Sequence, residues 1–103
     1  MAIFAPICVF GSTTLAVTGT AGSVTLPTGN GNQLLVQNNG ANIAWWTTGA
    51  TSATAANTTG SSTPILAGAV MLYSLDPAAT QFSAISSATG TTTTLYISKC
   101  AGV

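Results

Sequence analysis

Charge is almost absent from this chain. Asp76 and Lys99 are its only charged side chains, and they make up 2% of its 103 residues. In an average soluble domain, about a quarter of the residues are Asp, Glu, Lys or Arg. A free monomer normally keeps a charged surface and a net charge that oppose self-association. The sequence therefore favours a protein that works as part of an assembly.

Histidine is absent as well, and this excludes most catalytic chemistry. A Ser-His-Asp or Cys-His arrangement cannot be built within the chain, and one carboxylate cannot form the pair of a glycoside hydrolase. Two cysteines without histidine do not complete a zinc site, and binding to nucleic-acid phosphates needs Lys and Arg. We therefore expect no enzyme activity, no cofactor, no metal, no nucleic acid and no small-molecule substrate.

Long hydrophobic runs are also missing, although hydrophobic residues make up 47% of the chain. No run approaches the roughly 20 residues that span a bilayer. The longest is residues 1–10, and no Lys or Arg precedes it as a secretory signal peptide requires. We expect neither a membrane span nor a signal peptide. We interpret residues 1–10 as an apolar arm or a first strand, and residues 11–103 as one domain.

Cysteine is scarce, with one residue close to each end of the sequence. Chain termini often lie close together in folded domains, so a bridge between Cys8 and Cys100 is geometrically conceivable. Two cysteines do not make a disulfide framework, however, and no other sequence feature indicates an oxidising compartment. Buried free thiols are the favoured interpretation, with a disulfide as the alternative.

Thr, Val, Ile and aromatic residues, which favour strands, recur between closely spaced Gly and Asn residues. Short apolar runs separated by turn residues are typical of an all-β sandwich or barrel. We predict a single antiparallel β-sandwich of jelly-roll or Greek-key type, with about eight short strands and minimal helix. The predicted strands cover 2–9, 13–18, 22–27, 33–38, 42–48, 69–75, 80–86 and 92–98.

Two turn signals predict β-hairpins. Asn39-Gly40 lies between two predicted strands and suits a type I′ turn, which needs positive φ at both central residues. Gly90 precedes a run of threonines and predicts a second hairpin. The segment 49–63 lacks apolar periodicity and is expected to form a long surface loop with, at most, one irregular edge strand.

Two predicted strands are apolar on both faces. In 42–48, Trp45 and Trp46 point in opposite directions, and in 69–75 Met71 and Tyr73 oppose Val70 and Leu72. A strand with one face in water should alternate apolar and polar residues. The second face must be covered by a loop, by the terminal arm or by another subunit. Interface cores are enriched in aromatic residues and methionine and depleted of charge.

The remaining conspicuous residues have alternative interpretations. Trp45-Trp46 could form a stacking platform for a sugar, with Gln37 or Asn42 as polar partners, but one core tryptophan beside one covered tryptophan is favoured. Asp76-Pro77 predicts a turn. Lys99 is expected to mark the edge of the last strand, where a charge discourages unwanted pairing.

Three segments of the chain resemble small virion structural proteins of tailed bacteriophages. They are QLLVQNNGANIAWWTTG, TPILAGAVMLYSL and TQFSAISSATGTTTTLYISKCAGV, within residues 33–103. Their shared pattern is a strand ending in an Asn-rich turn, an aromatic strand, a Pro-x-x-x-Gly turn and a final Gly-Thr-rich hairpin. The chain departs from this family in lacking its scattered Arg, Glu and Asp residues. The resemblance implies a β-sandwich that binds the virus particle and does no catalysis.

We therefore expect a capsid decoration or cement protein on the virion surface, made in the host bacterial cytoplasm. Its expected partners are itself, as a homotrimer, and the major capsid protein, with no membrane partner. The alternatives are a neck, tail or fibre component, and a carbohydrate-binding module using Trp45-Trp46. The candidate interface residues are Ile3, Phe4, Ile7, Phe10, Trp46, Met71 and Tyr73.

Overall fold

The computed structural model describes residues 8, 11–29, 31–51, 53–55, 62–86 and 93–101. Over these residues the secondary structure is all-β, as predicted. The eight strands are β1 (Ser12–Val17), β2 (Gly22–Thr25), β3 (Gln33–Asn38), β4 (Ala44–Gly49), β5 (Thr63–Ile65), β6 (Val70–Ser74), β7 (Gln81–Ser86) and β8 (Thr93–Cys100). The described part contains no helix of the length and apolarity needed to cross a bilayer.

The strands form two antiparallel four-stranded sheets that pack as a sandwich. The first sheet has the order β1-β8-β3-β6 and the second has the order β2-β7-β4-β5. The pairs β1–β8, β2–β7, β3–β6 and β4–β5 are nested, so the chain follows one long antiparallel ribbon that is folded back between β4 and β5. Wrapping this ribbon around itself adds the pairs β3–β8 and β4–β7. This is the jelly-roll arrangement.

Both hairpin predictions are wrong. Asn39-Gly40 connects β3 in the first sheet to β4 in the second, and the positive-φ residues of the described part are Gly11 and Gly68 instead. Gly40 is needed for space, because a Cβ atom there would overlap the side chain of Thr93. Gly90 lies outside the described residues, but the strands that flank it, β7 and β8, belong to different sheets.

The described residues of the segment 49–63 contain no complete strand, because β4 ends at Gly49 and the edge strand β5 begins only at Thr63. Part of this segment lies over the second sheet. The buried Ala55 donates its backbone N–H to the hydroxyl of Ser83 on β7, over 2.9 Å. The predicted strand 2–9 lies outside the described residues apart from Cys8.

The core lies between the sheets and is built from the inward side of each strand. It includes Leu34 and Val36 of β3, Phe82 of β7 and Leu95 of β8, all fully buried. Each such side chain stabilises the fold by about 1.5–3 kcal/mol. Alternation along the strands then fixes which side chains point outward.

One buried polar side chain joins four parts of the jelly roll. Asn38, at the end of β3, donates its side-chain amide N–H groups to the carbonyl oxygens of Asn42, at 2.8 Å, and Ile65, at 3.0 Å. Its amide oxygen accepts the hydroxyl of Thr93 at 2.6 Å. Its backbone N–H donates to the carbonyl oxygen of Ala69, and its backbone carbonyl oxygen accepts the N–H of Gly68. These bonds tie the β3–β4 crossover, the end of β5, the turn before β6 and the start of β8 together.

The two charged side chains serve local structure. Asp76 begins the predicted turn, which is confirmed: its carboxylate accepts the N–H of Ala78 and its carbonyl accepts the N–H of Ala79, both at 2.9 Å. Lys99 does not mark an edge, because β8 lies between β1 and β3. Its ammonium group instead donates to the carbonyl oxygen of Pro27 at 2.9 Å.

Candidate interaction surface

The outer face of the first sheet carries exposed apolar side chains. Register places Leu72 of β6 opposite Leu35 of β3, and Val70 opposite Gln37, which in turn lies opposite Tyr96 of β8. Val70 is 58% exposed, Tyr96 40% and Leu72 39%, while Leu35 is half-buried. We call Leu35, Val70, Leu72 and Tyr96 the outer strip. Leu66, which follows β5, is also exposed.

No charged residue interrupts the outer strip. Lys99 is opposite the inward-facing Leu34 and therefore lies on the inward side of β8. Asp76 lies in the turn after β6. Exposed apolar area without charge is what a subunit interface needs and what a free monomer avoids.

Within the described part of the chain, the strip ends at an unpaired edge of the sheet. The N–H of Leu75 donates to Asn32, and Ala69 accepts the N–H of Asn38, so these two residues of the β6 segment turn their backbone towards β3. Hydrogen-bonded and non-hydrogen-bonded pairs alternate in an antiparallel ladder. The N–H and C=O groups of Val70, Leu72 and Ser74 therefore point away from β3, and no partner for them occurs among the described residues.

The other sheet edges of the described part are less suited to pairing. Strand β5 has three residues, and one of them, Pro64, lacks an N–H group. Strand β2 has four residues. Strand β1 presents Ser12, Thr14 and Ala16 on its exposed side, with little apolar area. Natural edge strands are usually protected by charge, proline or a bulge, and β6 carries neither charge nor proline.

The cysteines form a disulfide, so the favoured interpretation of free thiols is wrong. Cys8 is bonded to Cys100, 92 residues away. The cause is the β1–β8 pairing, in which Lys99 donates its N–H to Gly11 and the two ends of the chain lie side by side. Cys100 is opposite Gln33, on the outward side of β8, yet it is fully buried. The bridge therefore fixes residue 8 on the outer face of the first sheet.

The two tryptophans differ in burial. Trp46 is 8% exposed and lies in the core, stacked on Phe82 with ring centroids 5.3 Å apart and in edge contact with Tyr73 at 4.7 Å. It therefore cannot serve as an interface residue or as a sugar platform. Trp45 is half-buried on the outer face of the second sheet, opposite Ile85 and Pro64.

The remaining candidate interface residues have different positions. Met71 is 47% exposed, whereas Tyr73 is half-buried and packs against Trp46. Ile3, Phe4, Ile7 and Phe10 lie outside the described residues. Sequence reasoning missed Val70, Leu72 and Tyr96 as surface residues. The available signal was the two-sided apolarity of residues 69–75, but alternation alone does not show which side faces the core.

A shallow cleft of about 360 Å³ lies at one end of the outer strip. It is lined by Gln37, Asn39, Gly68, Val70 and Tyr96, among others. The side-chain amides of Gln37 and Asn39 have no hydrogen-bond partner within the described part of the chain. Over the same residues, no group of three or more His, Cys, Asp or Glu side chains could hold a metal ion.

Comparison with family models, curated proteins and solved structures gave no match to this chain. The fold and the chemistry of its surface therefore carry the functional argument.

Proposed function

We propose that this chain is a non-enzymatic virion structural protein that decorates and stabilises the capsid of a tailed bacteriophage. Its partners would be further copies of itself and the major capsid protein. The observation that carries the proposal is the uncharged outer strip at the edge of β6, which no other described strand covers. The resemblance over residues 33–103 to small phage virion proteins supports the same class of function.

Leaving this apolar surface in water is unfavourable. Burying one of the exposed side chains, such as Val70 or Leu72, is worth up to about 1.5–3 kcal/mol when burial is complete. A few such anchors give weak binding for one subunit. Copies that contact each other and the capsid together bind far more tightly, because the second contact becomes intramolecular. A decoration protein binds in this way, because many of its copies contact one another and the capsid at the same time.

The disulfide fits a protein that acts outside the cell. Disulfides persist in oxidising surroundings, whereas cytosolic thiols are kept reduced. A virion protein made in the bacterial cytoplasm would hold Cys8 and Cys100 as thiols until the particle is released. Closure of the bridge would then fix residue 8 against the first sheet.

Copy number tests the proposal and separates it from the neck, tail or fibre alternative. Gradient-purified particles from a lysate that contains the chain would be analysed by quantitative mass spectrometry against the major capsid protein. A copy number comparable with that of the capsid protein is expected. A few copies per particle would support the alternative position, and absence from particles would overturn the virion proposal.

The Tyr96 cleft favours a carbohydrate-binding function as a second candidate, at a different site from the one expected at Trp45-Trp46. An exposed aromatic ring beside the side-chain amides of Gln37 and Asn39 suits a neutral sugar, because the ring packs on C–H groups and the amides bond to hydroxyls. A glycan array is the test, with Tyr96→Ala expected to abolish binding and Tyr96→Phe to retain it. No binding by the unaltered chain would dismiss this function.

A further inference from the structure

We propose that two copies of the chain pair through their β6 strands, antiparallel, about a twofold axis at Leu72. The inference deepens the proposed function, on which it rests, by naming the surface through which copies meet. It replaces the expected homotrimer with a dimer.

The open edge fixes the register of this pairing. Hydrogen-bonded pairs across the new interface must join residues whose backbone groups point outward, which are Val70, Leu72 and Ser74. In an antiparallel ladder, paired residues exchange both N–H···O=C bonds. Placing Leu72 on Leu72 of the second copy also sets Val70 against Ser74, twice by symmetry. Every outward N–H and C=O of β6 then finds a partner.

The side chains agree with this register. Val70 and Leu72 project on the outer face together with Leu35 behind them. Across the twofold axis the two outer strips become one continuous apolar surface. The two first sheets join as one eight-stranded sheet in the order β1-β8-β3-β6-β6-β3-β8-β1, which is within the size of natural open sheets.

The absence of charge favours a second copy as the occupant. Near a twofold axis a charged side chain on the edge strand would lie opposite or close to its own copy, and like charges directly opposite destabilise a strand pair. Strands β3 and β6 carry none. Interfaces of this kind are self-complementary, and twofold dimers are the most common oligomers.

Single cysteines in the oxidised full-length chain test the register. Leu72→Cys should give a disulfide-linked dimer, because hydrogen-bonded strand partners have Cα atoms about 5.5 Å apart, within disulfide range. Met71→Cys is the matched control: it is a neighbouring exposed residue whose two copies would be about 8 Å apart in this register, too far for a bridge. Non-reducing gels and intact mass would detect a doubling from 10.1 kDa.

A mixing experiment gives a second, independent readout. Val70→Cys and Ser74→Cys should each remain unlinked alone and form the heterodimer when mixed. Circular dichroism would show that each variant keeps the fold.

Selective linkage at Leu72, together with the mixed pair, supports the proposal. Equal linkage at Leu72, Met71 and the opposite-edge control Ala16→Cys would overturn it, because that pattern is random collision. A Leu72→Cys chain that stays monomeric would also overturn the proposal. The β6 edge would then be available to pair with a strand of another protein. These outcomes do not depend on virus particles, so failure here is distinguishable from absence of the chain from virions.

Discussion

Replacing Asn38 by aspartate should make the stability of this protein fall as pH rises. The change keeps the shape of the side chain and its bond from Thr93, but removes both N–H groups that serve Asn42 and Ile65. A protonated carboxyl group at low pH can still donate one hydrogen bond. The loss at pH 3 should therefore be about 1 kcal/mol, the worth of one net hydrogen bond.

At higher pH the new carboxyl group must ionise while buried against two carbonyl oxygens. Burial without a positive partner raises the pKa of an acid in the folded state above the unfolded value of about 3.9. Because the folded pKa is the higher one, stability is retained below about pH 4 and lost as pH rises towards the folded pKa. The slope is about 1.4 kcal/mol per pH unit, so up to about 4 kcal/mol more is lost by pH 7.

This pH dependence can be measured without interference, because the stability of the unaltered chain should itself depend little on pH. The unaltered chain has one carboxylate side chain and no histidine, so its stability should be almost flat between about pH 3 and 7. Urea unfolding at several pH values, followed by tryptophan fluorescence, would give the free energies. Asn39→Asp is the matched control, since Asn39 is the next residue, exposed, and bonded through its backbone N–H.

The expected result is a variant that is stable in acid and unfolds towards neutral pH, the reverse of ordinary acid denaturation. Asn39→Asp should show little of this slope. If Asn38→Asp were as flat as Asn39→Asp, the side chain of Asn38 would not be enclosed by carbonyl groups, and its role in joining the four segments would be refuted.

Two further predictions concern the ends of the chain and the β3–β4 crossover. Replacing Cys8 and Cys100 together by serine should lower the free energy of unfolding by up to about 4–5 kcal/mol, because the bridge spans 92 residues. In urea unfolding, the unaltered chain with its disulfide reduced should be as unstable as the serine variant. No loss of stability in either sample would contradict a closed bridge. Gly40→Ala should destabilise the protein by about 1–3 kcal/mol through overlap with Thr93. In the same assay Gly68→Ala should lose less, since its positive φ is strained but nothing lies within 4 Å of the added Cβ; equal losses would count against the steric role of Gly40.

Strand positions could be predicted from this sequence because they depend on local signals. Apolar runs between Gly and Asn residues located β3, for example, at 33–38. Strand β5 was not placed, since Thr63–Ile65 is short and contains Pro64. Its pairing depends on β4 and not on its own composition.

Sheet pairing could not be predicted because it depends on contacts between distant residues. Asn39-Gly40 has the composition of a hairpin turn, but the glycine is there to let the crossover approach Thr93. The cysteine bridge depends on the β1–β8 pairing in the same way. Local residue patterns contain no information about either contact.

An exposed apolar surface was expected from the sequence, but its position was not predicted. Because β4 and β6 have apolar residues on both faces, the sequence indicates that both faces of each strand are covered. Which face points into the core depends on the opposite sheet. Trp46 faces the core, where its ring packs against the rings of Phe82 and Tyr73. On β6 the outward residues are therefore Val70 and Leu72, and Tyr73 is an inward one.

We propose that the uncharged surface of this protein serves for association between protein subunits. Sedimentation velocity of the oxidised chain over a series of protein concentrations tests it most directly. We predict a species heavier than the 10.1 kDa chain, with association that does not weaken between about 0.01 M and 1 M salt, where the Debye length falls from about 30 Å to 3 Å. A monomer at every concentration, or an oligomer that salt dissociates, would show that the uncharged surface does not drive association.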